Sequence, residues 1–238
     1  MGQDDRDTDR WANRLLATLT ADGRARLGPH LELKELERGE VIHAAGARIE
    51  HVYFVEQGLV SLVKTMSDGL AVEVGTIGIE GIIGLPALIG IDRVLVDVVV
   101  QAPVIALRAR PALVGEEMAR SNRFRNLVLR YGHALLLQFI QTAACNSLHS
   151  IEERCCRWLL VAHDSARTDS FPLTHEFLAM LLGVQRAGVS VAASALQKGG
   201  VIEYRYGRVT IVDRHGLEAR ACECYRAIRS SLDELLEA

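Results

Sequence analysis

Two hydrophobic periods divide this chain, and the change falls at Pro111. Before it, short apolar runs at 31–36, 52–55, 59–64, 71–74, 95–100 and 104–107 alternate with turn residues, the pattern of half-buried strands. Gly39, Gly46, Gly58 and the pair Asp68-Gly69 punctuate them, the last being a strong hairpin signal. An all-β roll is predicted, preceded by a helix over 10–19. After Pro111 the spacing turns helical: a short helix over 111–120, a long one over 122–148, another over 151–165, then a polar loop at 166–169. The expected fold is α+β: an N-terminal β jelly roll, a long central dimerisation helix and a C-terminal winged helix-turn-helix. The expected domains are 1–110, 111–149 and 150–238.

The segment 173–208, LTHEFLAMLLGVQRAGVSVAASALQKGGVIEYRYGR, carries the most chemistry. Thr174 is an N-cap, and Phe177, Leu178, Leu181 and Leu182 share one face of the helix that follows. Gly183 ends it as a residue free to take positive φ. A second helix, 185–198, turns Val189, Ala192, Ala193 and Leu196 inward and leaves Arg186, Ser190, Ser194 and Gln197 outside. Gly199-Gly200 stops it, and two β-favouring runs around Tyr206-Gly207 form the wing. Small residues Ala187, Gly188 and Ser190 let the second helix approach a major groove. Double-stranded DNA is therefore the expected partner, with Thr174, Gln185, Arg186, Ser190, Ser194, Lys198, Arg205 and Arg208 as contacts. Arg186 is matched to a guanine, Gln185 to an adenine edge or phosphate, and Ser190 to a phosphate or base.

The long helix is apolar over more than half its circumference and must bury two faces. One lies on the roll. Leu127, Tyr131, Ala134, Gln138, Gln141, Cys145 and Leu148 recur by fours and threes and predict a parallel coiled-coil seam, hence a two-fold homodimer.

Composition narrows the classes. At 238 residues and 49% apolar content the chain suits two domains with substantial cores. A net charge of −3 rules out a polycation, so nucleic-acid affinity must come from a local excess of Arg186, Lys198, Arg205, Arg208 and Arg214 over Glu176, Glu203 and Asp213. The opening run 3–10 is charged and expected to fray, without a signal peptide. Arg130, His133, Gln138 and Gln141 interrupt the richest apolar run, so no membrane association and a cytoplasmic location are expected. Five cysteines, Cys145, Cys155, Cys156, Cys222 and Cys224, are an odd set expected to be reduced and small core residues. Cys222-x-Cys224 lacks a second close pair, so no metal and no cofactor are expected. A thiol-based redox sensor remains an alternative through these cysteines. A cupin-like enzyme is less favoured, because His43, His51 and Glu56 lack a His-x-His pair.

The run Arg38-Gly39-Glu40-Val41-Ile42, Gly46, and Val52 through Val60 with Gly58, the glycine-rich stretch from Gly78 to Gly84, and the helix-turn-helix together resemble the Crp/Fnr family of bacterial transcription regulators over nearly the whole chain. The resemblance implies a non-enzymatic, homodimeric regulator on palindromic operators that contacts RNA polymerase and answers to a small-molecule effector. It places the effector pocket near Glu80, Gly81, Gly84, Leu85 and Arg93. The sequence departs from the cyclic-nucleotide-binding members. Leu85 stands where they carry a ribose-holding glutamate, and Arg93 is followed by Val94 rather than by Ser or Thr. A buried phosphate without its arginine would be uncompensated, so cyclic AMP is not the expected effector, whose identity stays open. With no cysteine before Cys145, the family's N-terminal iron–sulfur cluster is excluded. In the recognition helix Ala187 and Val191 replace a glutamate and an arginine of the family pattern, so the operator sequence should differ.

Overall fold

The computed structural model describes residues 11–166 and 168–237; the charged run 3–10 lies outside them. The expected helix over 10–19 is not formed by its described part. Buried Asn13 instead donates to Gly81 O at 2.8 Å and Val55 O at 3.1 Å, while its Oδ1 accepts from the backbone of Leu15 and Leu16. A short 3-10 turn follows, Leu16–Thr18. Thr20 then caps a new helix, α1 (Ala21–Leu27), by accepting from Gly23 N.

The roll comprises β1 (Glu32–Leu36), β2 (Val41–His43), β3 (Val52–Thr65), β4 (Ala71–Ile77), β5 (Ile82–Ile83) and β6 (Asp97–Ala109). Antiparallel pairing runs β1-β6-β3-β4, with β2 on β6 and β5 on β3. Four expected strands merge into two. Gly58, at φ +97°, bulges β3 against Pro103 of β6, where a Cβ would sit 2.2 Å from the Pro103 carbonyl oxygen. The strands cross there without ending, since proline is tolerated at a bulge that needs no amide. Val60, Ile77, Ile83, Val98, Val100 and Val104 fill the interior.

After the roll come α2 (Pro111–Arg120), α3 (Asn122–Leu148) and α4 (Ile151–Ala166), close to their predicted bounds. Ser121 caps α3 by accepting from Phe124 N. The C-terminal part adds β7 (Ser170–Pro172), α5 (His175–Leu182), α6 (Arg186–Lys198), β8 (Ile202–Arg205), β9 (Arg208–Ile211), α7 (Arg214–Arg220) and α8 (Cys224–Glu237). Its small sheet is ordered β7-β9-β8, so the wing hairpin gains a third strand from the loop before α5. One core of Trp158, Leu159, Leu178, Leu181, Val189, Leu196, Val209 and Leu217 unites these elements and takes in Leu59 of the roll. Among the described residues no single helix is long and apolar enough to cross a membrane.

The central helix faces differently from expectation. Leu127, Tyr131 and Ala134 are buried, the first two with Phe54 and Ile82 of the roll. Gln138 accepts from Thr76 N at 3.0 Å, and Gln141 donates to Cys224 Sγ at 3.0 Å. Cys145 is fully buried with Cys222 and Cys224. Of the predicted seam only Leu148 is exposed. The seam is corrected accordingly: the roll and α8 both claim the face that the heptad count assigned to a partner. Leu129, His133, Leu136, Ile140 and Ala143 form the exposed stripe instead, again spaced by fours and threes.

Candidate nucleic-acid interface

The helix-turn-helix is built around Gly183, whose φ of +62° is the left-handed cap that turns α5 into α6. Thr174 Oγ1 accepts from Phe177 N at 3.1 Å, starting α5 as expected. Three contacts fix the start of α6 and the wing against α5. His175 Nδ1 lies 3.0 Å from Ser190 Oγ, the His175 ring packs tilted against Tyr204 with centroids 4.4 Å apart, and Tyr204 Oη donates to Leu173 O at 2.5 Å. Burial, then the Arg186 charge, holds the His175 pKa below its ordinary value. Neutral His175 can donate from Nδ1 while the Ser190 hydroxyl donates to Arg186 O at 3.1 Å. Gln197 Oε1 accepts from Tyr204 N at 3.0 Å and ties the far end of α6 to the wing.

These bonds sort the predicted contacts. Gln185, Arg186, Ser194, Lys198, Arg205, Arg208 and Thr174 are all exposed. Arg186 is only loosely paired, 3.9 Å from exposed Glu176, and Arg208 leans on Ser170 O at 3.2 Å. Arg205 meets Glu203 at 2.8 Å along its own strand. Ser190 is corrected: half-buried and spent on His175 and Arg186 O, it positions the helix and does not reach outward. Gly188 also faces inward, since a Cβ there would meet Ile151 Cδ1 at 2.6 Å. It lets α6 approach α4, not a groove.

Two outward groups were not among the expected contacts. Val191 is 72% exposed in the middle of the stripe Ala187, Val191, Ser194, Lys198, an apolar surface suited to a thymine methyl. Tyr206 is fully exposed at the wing tip with φ +49°. The positive φ is that of a tight hairpin turn, and an aromatic before glycine in a wing was the available signal.

The residues expected to line an effector pocket do not come together. Glu80 accepts from Gly78 N at 2.9 Å and lines a cavity of about 240 Å³ with Arg14, Gln138, Tyr225 and Asp233; burial pushes its pKa up. Arg93 lies on the exposed edge and donates to Gly46 O at 2.7 Å. Gly81 packs so tightly on Tyr131 that a Cβ would meet the phenol oxygen at 2.2 Å, and Gly84, at φ +84°, turns the chain into the 3-10 segment Leu85–Ile89. The expected pocket is corrected: Glu80 lies in a cavity against α3 and α8, whereas Arg93 is turned to Gly46 on the exposed edge. A separate cleft of about 260 Å³ lies between the roll and the DNA-binding domain, lined by Arg38, Gln57, Gln101, Trp158 and Phe177. Gln101 is buried there with neither side-chain polar atom partnered among the described residues.

Comparison with known proteins agrees with this architecture. The sequence matches the cyclic nucleotide-binding domain family over residues 33–121 and the Crp-like helix-turn-helix domain family over residues 153–220. No curated protein matches the sequence. Among solved structures, FixK2 from Bradyrhizobium japonicum is similar with a TM-score of 0.68 at 16% identity, covering 81% of this chain and 98% of that one. TTHB099, a CRP-family transcriptional regulator from Thermus thermophilus, is similar with a TM-score of 0.66 at 22% identity, covering 79% and 96%. A third is CLP, the c-di-GMP responsive global regulator of Xanthomonas campestris, with a TM-score of 0.64 at 17% identity, covering 81% and 99%. With a roll of the first family and a helix-turn-helix of the second joined by one long helix, the chain belongs to the Crp/Fnr family of transcriptional regulators.

Proposed function

We propose that this regulator binds a palindromic operator as a homodimer, with α6 of each copy in successive major grooves and the wing on the flanking backbone. The observation that carries the reading is the outward stripe of α6. Arg186, Ala187, Val191, Ser194 and Lys198 are exposed, as are Arg208 and Tyr206 of the wing, while Val189, Ala192, Ala193 and Leu196 of α6 are buried. Arg186 near the N-terminal end supports a bidentate guanine contact, and Lys198, Arg205 and Arg208 suit phosphates. Contact with RNA polymerase is part of the same reading.

Dimerisation uses the exposed stripe of α3, in which Leu129 is 49%, Leu136 52% and Ile140 58% exposed. Apolar side chains so spaced along a helix make the kind of seam that a like helix covers in a coiled coil. The effector is not a cyclic nucleotide, since Arg93 is committed to Gly46 and Leu85 offers no acid. A small, weakly polar molecule fits the interdomain cleft, where Gln101 would find a partner. Random-duplex selection with purified protein tests the reading. Enrichment of an inverted repeat with half-sites about 34 Å apart, bound by two chains per duplex, is the expected result. Selection of a non-repeated site at one chain per duplex would overturn it.

A further inference from the structure

Four metal-ligand side chains meet where the central helix ends and the last helix begins. Cys145 and His149 stand four residues apart at the end of α3, one turn apart on the same face. Cys222 and Cys224 come from the α7–α8 junction. Their ligand atoms all lie within 4.8 Å of one another. Cys145 Sγ is 3.6 Å from Cys222 Sγ, and Cys224 Sγ is 3.5 Å from His149 Nδ1. A tetrahedral zinc ion with Zn–S bonds of about 2.3 Å sets neighbouring ligand atoms roughly 3.5–3.8 Å apart, so two edges of the tetrahedron already have that length. We propose that Cys145, His149, Cys222 and Cys224 form a Cys3His zinc site that pins the end of α3 to the start of α8.

The surroundings are those of a metal site rather than of a plain thiol cluster. His149 directs Nδ1 at the cluster and sets Nε2 3.2 Å from Glu223 Oε2, the carboxylate–histidine pairing that orients a zinc-bound imidazole. Gln141 Nε2 donates to Cys224 Sγ, a hydrogen bond that stabilises a thiolate. Three thiolates around one divalent ion leave a negative charge. Arg154 and Arg157 of α4, both buried, lie close enough to these thiols to act on them electrostatically. Arg154 also donates to Leu182 O, just before the turn of the helix-turn-helix. The compact set favours one ion over an iron–sulfur cluster, which spreads its thiolates over separate irons. The site does not depend on which DNA sequence is bound, and its failure would leave the operator reading intact.

The test uses the full chain, purified reduced and dialysed against chelator, then titrated with cobalt(II) as a spectroscopic stand-in for zinc. The expected result is one ion per chain, with intense tetrahedral visible bands and a thiolate charge-transfer band, both lost on adding one equivalent of zinc. Cys145→Ser and Cys222→Ser should abolish the spectrum, while Cys155→Ser, which alters a buried cysteine outside the site, should keep it. Should the ligand variants fail to fold, Glu223→Gln decides: Glu223 is exposed, and losing it should weaken zinc about 10–100-fold with the fold intact. No tetrahedral cobalt spectrum in the reduced full chain, an iron–sulfur chromophore, or a Cys145–Cys222 disulfide in anaerobically purified protein would each overturn the site. Unchanged affinity in Glu223→Gln would do the same.

Discussion

Trp158 of α4 donates its indole N–H to the carboxylate of Glu73 at 3.3 Å, joining the DNA-binding domain to strand β4 of the roll. The carboxylate also accepts from the Ser61 hydroxyl and is only 6% exposed. The roll and the DNA-binding domain thus share a buried polar contact, whose cost falls on the ionised form of Glu73.

Burial pushes the Glu73 pKa above the ordinary carboxylate range, outweighing the lowering from Ser61 and Arg157. A carboxyl whose pKa is raised in the folded chain binds its proton more tightly there than when unfolded. Its stabilisation is complete below the ordinary carboxylate pKa and is lost as pH rises through the folded value. Glu73→Gln keeps an acceptor for Trp158 without the charge. It should raise Tm at neutral pH by a few degrees, at about 2–4 °C per kcal/mol for a chain of this size, and flatten the decline above mildly acidic pH. Thermal melts across pH check this; a variant that melts lower at every pH would contradict it.

Arg186 and Arg208 should separate by kind of effect. Arg186→Ala should lose roughly 1–3 kcal/mol on the selected operator and relax preference at one base pair, whereas Arg208→Ala should weaken all sequences alike and reduce the salt slope by about 1. Fluorescence anisotropy over a salt series measures both. Unchanged operator affinity in Arg186→Ala would remove α6 from the groove.

The two faces of α3 give opposite variants. Leu136→Glu or Ile140→Glu should yield a folded monomer with unchanged melting at low concentration and weakened operator binding. Leu127→Ala, buried at 7% exposure, should cost about 2–5 kcal/mol of stability and leave the association state alone. Sedimentation velocity reads the difference, and a dimer that survives both glutamates would place the interface elsewhere.

Cyclic AMP and cyclic GMP at millimolar concentration should leave Tm unchanged, because a ligand of the native state must stabilise it by mass action. A clear upward shift that disappears in Arg93→Ala would restore a nucleotide pocket.

The sequence alone determined the change from strands to helices at Pro111 and the helix-turn-helix, but neither the two last helices nor the break of the expected first helix. Strand and helix periods, the Thr174 cap and the Gly183 turn are local signals that hydrogen bonding and backbone sterics read within a few residues. Tertiary packing decided what each face meets. The heptad count could not say whether Tyr131 and Cys145 would face a partner or the chain's own roll and last helix, because both burials satisfy the same apolar spacing. Nor could spacing show that Ser190 is spent on His175, or that Gly58 and Pro103 would cross within continuous strands. The cysteines carry the sharpest case. Cys222-x-Cys224 lacks a second pair in sequence, and only the antiparallel return of α8 along α3 brings it to Cys145, 77 residues away. Such long-range convergence is set by the packing of whole helices, which no local pattern encodes.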